Sequence, residues 1–343
     1  MNAKLTETGA EGSGAALGQR LARGDLSAAP VVMNLLESRA DTDQLEARAL
    51  MRFVSPAALK AEAKGHIVGI TGPPGAGKSS LVSVLVRRLR QHEDQSVAVL
   101  AVDPSSRISG GSLLGDRIRI GLDPTDTRLF IRSTAAGERL GGLAWSTRAA
   151  AQALAVAFDF VVIETVGAGQ GETEVAQVAD TVLLVVQPGS GDVLQFLKAG
   201  MMEIPDVLIV SKADLGEIAA RTREDLSAAL RSLAASGSRA SPEVIGLSSL
   251  PPTSGFDALE QAIAAHRMSI DLRARRQRLR REGAITDFAI EHGERALRAL
   301  RGRRGAAQVL AGADGCLSEP ELEAILVEAL QARRQMCCEG QPS

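Results

Sequence analysis

Eight consecutive residues, Gly72-Pro73-Pro74-Gly75-Ala76-Gly77-Lys78-Ser79, spell the pattern G-x-x-x-x-G-K-[ST]. Each residue type in it answers a need of phosphate chemistry. Glycines let backbone N–H groups close around phosphate oxygens, a lysine brings a compact positive charge to the β- and γ-phosphates, and a hydroxyl ligates Mg²⁺. The flanks supply the context that the pattern requires. Residues 67–71 form an apolar run of strand type, and residues 80–89 carry apolar positions at helical spacing. A strand, a Gly-rich loop and a helix place the phosphates on a helix N-terminus, where the backbone dipoles add positive potential. The candidate nucleotide contacts here are Gly72, Pro74, Gly75, Ala76, Gly77, Lys78, Ser79 and Ser80.

Further along the chain, acids fall where such a site needs them. Asp103 ends the apolar run 97–102 and is followed by Pro104-Ser105-Ser106, so it suits a metal-bound water, an attacking water or a simple turn cap. The Gly-rich stretch from Gly110 leads to Asp116 and Arg119, candidates to close over a γ-phosphate. The fully apolar run 160–163 delivers Glu164, and Gly167 comes three residues later with a backbone N–H for a γ-phosphate. Gln170 lies in the glycine-containing stretch after it, either as a water-positioning group or as a solvated loop residue. Ser79 and Glu164 thus read as Mg²⁺ residues, with Asp103 suited to a metal-bound water.

Ser211-Lys212-Ala213-Asp214, after the apolar run 207–210, is close to the guanine-reading element N-K-x-D. In that element the lysine stem lies on the base plane, and the carboxylate accepts from guanine N1–H and N2–H₂. Adenine would leave this acceptor unpaired, which enforces choice. Ser211 stands where asparagine is usual and can supply only part of its bracing and base contact. Ser248 and Ser249 occupy the place of a last base-contacting loop.

These residues need a sheet to hold them. Strands are expected over 67–71, 97–102, 160–164, 181–186, 207–211 and 243–247, alternating with helical patterns. That alternation predicts an α/β fold: a P-loop NTPase with a mainly parallel sheet flanked by helices. Residues 1–18 read as disordered, 19–64 as a helical extension, 65–266 as the nucleotide-binding domain, 267–335 as a C-terminal helical extension and 336–343 as a flexible tail. Arg273, Arg275, Arg276, Arg278, Arg280 and Arg281 make a basic run in the last extension, suited to a solvated helix face, a partner surface or RNA. Ser318 precedes a helix expected from Glu319 to Leu330, with acids in its first turn.

Composition narrows the function classes. The chain has 343 residues and a formal net charge of -2, so no global charge argues for nucleic acid or an anionic membrane. Aromatics are 2% of residues with no tyrosine, which removes the stacking platforms of single-strand binders. No apolar run reaches membrane-spanning length, and the first residues lack a signal or transit pattern, so the expectation is a cytoplasmic protein. Cys316, Cys337 and Cys338 lack zinc-site spacing, and the adjacent Cys337 and Cys338 read as free thiols. The four histidines are isolated in sequence and read as surface or packing residues.

Four segments together resemble the MeaB/ArgK family of P-loop GTPases, the methylmalonyl-CoA mutase-associated chaperones. They are G-P-P-G-A-G-K-S-S, A-V-D-P-S-S-R-I-S-G-G-S-L-L-G-D-R-I-R, V-I-E-T-V-G-A-G-Q and the stretch from Pro188 to Gly200, P-G-S-G-D-V-L-Q-F-L-K-A-G. The likeness covers about residues 20–266. It implies a GTPase that uses Mg²⁺ and GTP/GDP, partners an adenosylcobalamin-dependent acyl-CoA mutase, gates cofactor loading and protects or rescues the mutase. It also implies a homodimer built on the C-terminal extension, it adds Asp103 and Asp116 to Ser79 and Glu164 as the metal set that supports Mg²⁺ and the hydrolytic water, and it makes Gln195 and Lys198 part of a switch that couples nucleotide to partner. Gly171-Glu172-Thr173 after Gln170 departs from the Ser-Glu usual there. Three other readings stay open: an ATP-dependent small-molecule kinase, a metal-insertion GTPase, which would need a Cys or His cluster near the nucleotide, and a non-hydrolysing scaffold in which the nucleotide only stabilises the fold.

Overall fold

A computed structural model of the chain describes residues 13–92, 94–103, 123, 125–135, 145–165, 175–189, 204–235 and 242–339. These divide into two compact units. One comprises residues 65–272, and the other joins residues up to 64 with those from 273 onward.

The described helices, in chain order, are α1 (Gly14–Ala22), α2 (Ala29–Glu37), α3 (Asp41–Phe53), α4 (Pro56–Leu59), α5 (Lys78–Gln91), α6 (Trp145–Ala157), α7 (Glu217–Ala235), α8 (Phe256–Ser269), α9 (Leu272–Ala299), α10 (Gly302–Ala311) and α11 (Glu319–Glu339). The strands are β1 (His66–Thr71), β2 (Val97–Asp103), β3 (Leu129–Ala135), β4 (Phe160–Glu164), β5 (Thr181–Val186), β6 (Val207–Val210) and β7 (Glu243–Gly246).

All seven strands belong to one parallel sheet in the order β3-β2-β4-β1-β5-β6-β7. Strands buried on both faces explain their near-continuous Val, Ile and Leu runs. Alternation along them sorts the residues between two layers. Leu183, Val185, Val207 and Ile209 pack with Leu81, Leu85, Leu259 and Ile263 of α5 and α8. Leu184, Val186, Leu208 and Val210 pack with Ala219, Leu226 and Leu230 of α7. On β1 a side chain is missing by necessity: a Cβ on Gly69 would come within 2.3 Å of Val175 and 2.9 Å of Ala179.

The amino edge of the sheet is tied by a buried polar chain. The Thr181 hydroxyl lies 2.8 Å from His66 Nε2 and 2.8 Å from His266 Nδ1, and His266 Nε2 lies 3.2 Å from Asp206. Asp180 accepts from the Ile67 N–H at 2.8 Å. His66 and His266 are thus packing residues, as their sequence isolation suggested.

Beyond β1 the chain turns at Gly72 with φ +143°, beneath β5. A Cβ there would sit 2.1 Å from the Val185 carbonyl oxygen. The loop can leave the strand only without a side chain at this position.

Strand β3 escaped the sequence reading, because Arg132, Ser133 and Thr134 interrupt its apolar run. The expected strand 207–211 stops one residue earlier, and β2 runs one residue further, to Asp103. The stretch read as disordered to Gly18 is helical from Gly14: Ser13 caps α1, and Leu17 and Leu21 are fully buried. Gly14 and Gly18 allow this helix to lie against Glu46 and Phe53 of α3, a close approach that looks like low complexity in sequence.

The C-terminal helices have their own core of Ile285, Phe288, Leu297, Leu310, Leu322 and Leu326. Glu321 reaches back to the Ser318 N–H and hydroxyl at 2.9 and 2.7 Å, so α11 starts where its cap predicts. It continues to Glu339, past the end expected from periodicity and into the stretch read as a flexible tail.

The basic run is a fastener as well as a surface. Arg276 and Arg280 are buried. Arg276 donates to the Ala63 carbonyl at 2.6 Å. Arg280 makes a two-pronged contact with Glu62 at 2.8 and 3.0 Å and donates to the Gly315 carbonyl at 2.8 Å. Arg281 donates to Ala313 at 3.1 Å, while Arg273 and Arg278 remain exposed. No helix among the described residues is long and apolar enough to cross a membrane.

This packing has two measurable consequences. Arg280→Ala leaves Glu62 and the Gly315 carbonyl without their donor, and should lower unfolding free energy by about 3 kcal/mol in urea titrations. Gly72→Ala forces a methyl against the Val185 carbonyl at an unfavourable φ, and should cost about 1–3 kcal/mol by the same measurement. An unchanged urea midpoint in either variant would contradict the assigned contact.

Candidate functional site

The carboxyl edge of the sheet gathers most of the described candidates. The strand order reverses at β1: β2, β3 and β4 lie on one side and β5, β6 and β7 on the other. In open parallel sheets this reversal leaves a crevice outside the strand ends, the usual place for a ligand.

The loop 72–77 fills the β1 end of that crevice. Gly72, Gly75 and Gly77 have φ of +143°, +76° and +90°. A Cβ on Gly75 would meet nothing within 4 Å, so the loop presents open backbone there. Ala76 is buried beneath it, while Pro74 and Gly75 are exposed. Gly77 caps α5 without a side chain, leaving the first N–H groups of a 14-residue helix for a ligand. Lys78 is buried, and its Nζ donates to the carbonyls of Gly72 at 2.8 Å and Pro73 at 2.9 Å. The ammonium therefore lies across the mouth of its own loop, and its positive charge adds to the helix dipole.

Ser79 and Glu164 meet from opposite elements. The Ser79 hydroxyl donates to Glu164 Oε1 at 2.5 Å. Register explains the meeting, since Glu164 pairs with Ile70 of β1 and Ala101 of β2, directly behind the loop. The pair offers a hydroxyl and a carboxylate side by side, a hard oxygen donor set of the kind that Mg²⁺ selects, alongside an anion-binding loop. The residues present thus fit a Mg²⁺–nucleotide complex. Thr165 continues β4 and ties it to β1, with its hydroxyl 3.0 Å from that of Thr71 and its N–H 3.0 Å from the Ile70 carbonyl. Asp103 ends β2 two residues beyond the level of Glu164. Its backbone position is described, but its side chain is not.

Across the crevice, β6 ends in the second cluster. Ser211 is buried; its N–H and its hydroxyl both reach the Val186 carbonyl, at 2.9 and 3.1 Å. It also lies beside the phosphate-type loop, 3.9 Å from where a Cβ on Gly77 would sit. The serine thus braces this turn to β5. Lys212 adopts a left-handed φ of 53°, a strained state for a side-chain-bearing residue, and turns the chain sharply out of the strand. Its Nζ donates to Gln187 Oε1 at 2.9 Å. Asp214 accepts from the Ser248 hydroxyl at 2.6 Å, and Ala213 N–H bonds the Leu247 carbonyl at 3.0 Å. Ser248 is buried and forms a bridge with Ser254, whereas Ser249 beside it is half-buried. Ser80 is exposed on α5.

Asp116, Gly167, Gln170, Gln195 and Lys198 lie outside the described residues. Gln187 is the residue that sequence reasoning passed over. It follows the last residue of β5, next to the β6 turn, and only the parallel pairing of those strands brings it to Lys212.

Similar proteins are found by sequence and by shape. A protein of Pyrococcus horikoshii named as a GTPase is 46% identical over 197 residues, 57% of this chain and 59% of its own length. The match therefore spans less than two thirds of that relative. A GTPase-named protein of Caulobacter vibrioides is 40% identical over 253 residues, 73% of this chain and 76% of its own. The crystal structure of a LAO/AO transport system kinase superposes with a TM-score of 0.61 at 25% identity, over 96% of this chain and 100% of that one. The model of the family described as methylmalonyl Co-A mutase-associated GTPase MeaB matches residues 29–300. By that match across most of its length, the chain belongs to the MeaB family of mutase-associated GTPases.

Proposed function

We propose that this protein binds GTP with Mg²⁺, hydrolyses it slowly, and uses the nucleotide state to act as a chaperone of an adenosylcobalamin-dependent acyl-CoA mutase. The observation that carries the guanine assignment is the Asp214 carboxylate, held by the Ser248 hydroxyl at the rim beside Lys212. A fixed carboxylate can accept two N–H groups of guanine and finds no donors at the same place on adenine. The Lys212 stem, held at its tip by Gln187, would lie along the base plane. Ser211 takes over the bracing part of the usual asparagine through Val186.

In this reading the backbone N–H groups of Gly75, Ala76, Gly77 and Lys78 bind the phosphates, helped by the α5 N-terminus. Lys78 exchanges its loop carbonyls for β- and γ-phosphate oxygens and stabilises charge that develops there. Ser79 and Glu164 would hold Mg²⁺, together with Asp103 and Asp116. When bound, the ion neutralises phosphate charge and orients the transferring group. Asp103, Asp116 or Gln170 aims a water in line with the γ-phosphate, Gly167 contacts the γ-phosphate through its N–H, and Lys198 belongs to the partner-coupled switch. Positioning and charge stabilisation then supply the catalysis, and a partner that orders the loops accelerates it.

The mutase partnership, the gating of cofactor loading and the protective role rest on the family's association with methylmalonyl-CoA mutase. A homodimer through the C-terminal helices and a cytoplasmic setting belong to the same reading.

The test measures GTP and ATP hydrolysis with and without an adenosylcobalamin-dependent acyl-CoA mutase. Slow, GTP-selective turnover that the mutase accelerates is expected. ATP preference would favour the kinase reading instead, and indifference to the mutase would remove the partner assignment. Asp214→Asn should weaken GTP binding by at least about ten-fold in titration calorimetry, with little change for ATP. Equal GTP affinity in the variant would overturn the base-recognition assignment.

A further inference from the structure

Away from the nucleotide crevice, the C-terminal helices bring together three residues that are scattered in sequence. Glu291 and His292 end the first part of α9, immediately before a break at Gly293, whose φ and ψ are 81° and 165°. Glu323 projects from the second turn of α11. One ligand atom from each lies within 4.8 Å of those of the other two. His292 is steadied by the Phe288 ring, 4.9 Å away between centroids.

The chemistry of Glu323 makes this more than a surface cluster. The residue is only 6% exposed, yet its Oε1 has no hydrogen-bond partner. Arg48 approaches only the other oxygen, Oε2, at 3.7 Å, and Glu291 Oε2 at 3.5 Å, from a side chain that is 42% exposed. A buried carboxylate so placed is costly unless a cation meets it.

We propose that Glu291, His292 and Glu323 form a binding site for a divalent first-row transition metal of the zinc class, joining α9 to α11. One imidazole nitrogen with two carboxylates matches the donors of zinc sites, and a nitrogen donor disfavours Mg²⁺ and Ca²⁺. Ligand atoms in a tetrahedral zinc site lie about 3.3–3.6 Å apart, from bonds of about 2.0–2.2 Å. The present spacing, within 4.8 Å, would have to close to that on metal binding, with water completing the shell. Neither the sequence spacing nor the isolation of His292 pointed here, because Glu323 joins the pair only through the packing of the two helices. The site is independent of the nucleotide reading.

Zinc binding by the full chain tests the inference. Cys316→Ser, Cys337→Ser and Cys338→Ser are introduced together to remove competing thiolates, excess Mg²⁺ occupies the nucleotide site, and Zn²⁺ is set with a competing chelator. One Zn²⁺ per chain is expected, with a rise in thermal midpoint. Glu323→Gln, which keeps the volume and removes the charge, should weaken binding at least about ten-fold, as should His292→Ala. Far-UV circular dichroism checks that each variant is folded, and Glu323→Gln alone decides the matter if His292→Ala is not. Absence of Zn²⁺ binding in the thiol-free chain, or unchanged affinity in Glu323→Gln, would overturn the site.

Discussion

The nucleotide-type crevice depends on one steric constraint at the end of β1. The chain must leave the central strand directly beneath the Val185 carbonyl of β5, and only a residue without a Cβ passes there. Gly72 meets that demand, and its turn sets the course of the whole loop. Gly75 and Gly77 continue with positive φ, α5 starts with open N–H groups, and the Lys78 ammonium folds back over the loop carbonyls. A loop held this way is already shaped for an anion, so little conformational entropy remains to be lost when one binds.

The parallel register then brings partners to that loop from distant parts of the chain. Glu164 lies behind Ser79 because β4 pairs with β1, and Ser211 lies beside Gly77 because β5 pairs with both β1 and β6 on the other side. The same sheet is tied at its amino edge by the His66–Thr181–His266 chain. One edge is closed by its own polar contacts, while the other carries a strained Lys212 and the open backbone of the glycine loop. That asymmetry is the usual division between a scaffold and a site.

Outside the sheet, charge does a different job in each place. Arg280 and the half-buried Glu62 compensate each other through a two-pronged contact, so burial of the arginine is tolerable. Glu323 is buried beside a second carboxyl, Glu291, with a distant guanidinium at one oxygen, and burial and that neighbour hold its proton to higher pH instead. Runs of arginine and isolated glutamates look alike as sequence, and their environments separate them.

Local chemistry determined much of what could be read in the chain by itself. Residues 72–79, the strand ending at Glu164 and the turn Ser211–Asp214 are contiguous, and their meaning lies in backbone conformation and the side chains next to it. The alternation of apolar runs with helical patterns likewise carried the parallel α/β class, because a strand buried on both faces has little freedom in composition. Tertiary structure alone decided the pairings between distant residues. Ser248 with Asp214, Gln187 with Lys212, Arg280 with Glu62 and His292 with Glu323 are separated by 34, 25, 218 and 31 residues respectively. Strand β3 and helix α1 fall in the same class, one interrupted by polar residues and the other disguised as a Gly-rich tail. Periodicity reports which face of an element is buried but not what covers it, and a polar side chain takes its role from whatever group the packed fold sets against it.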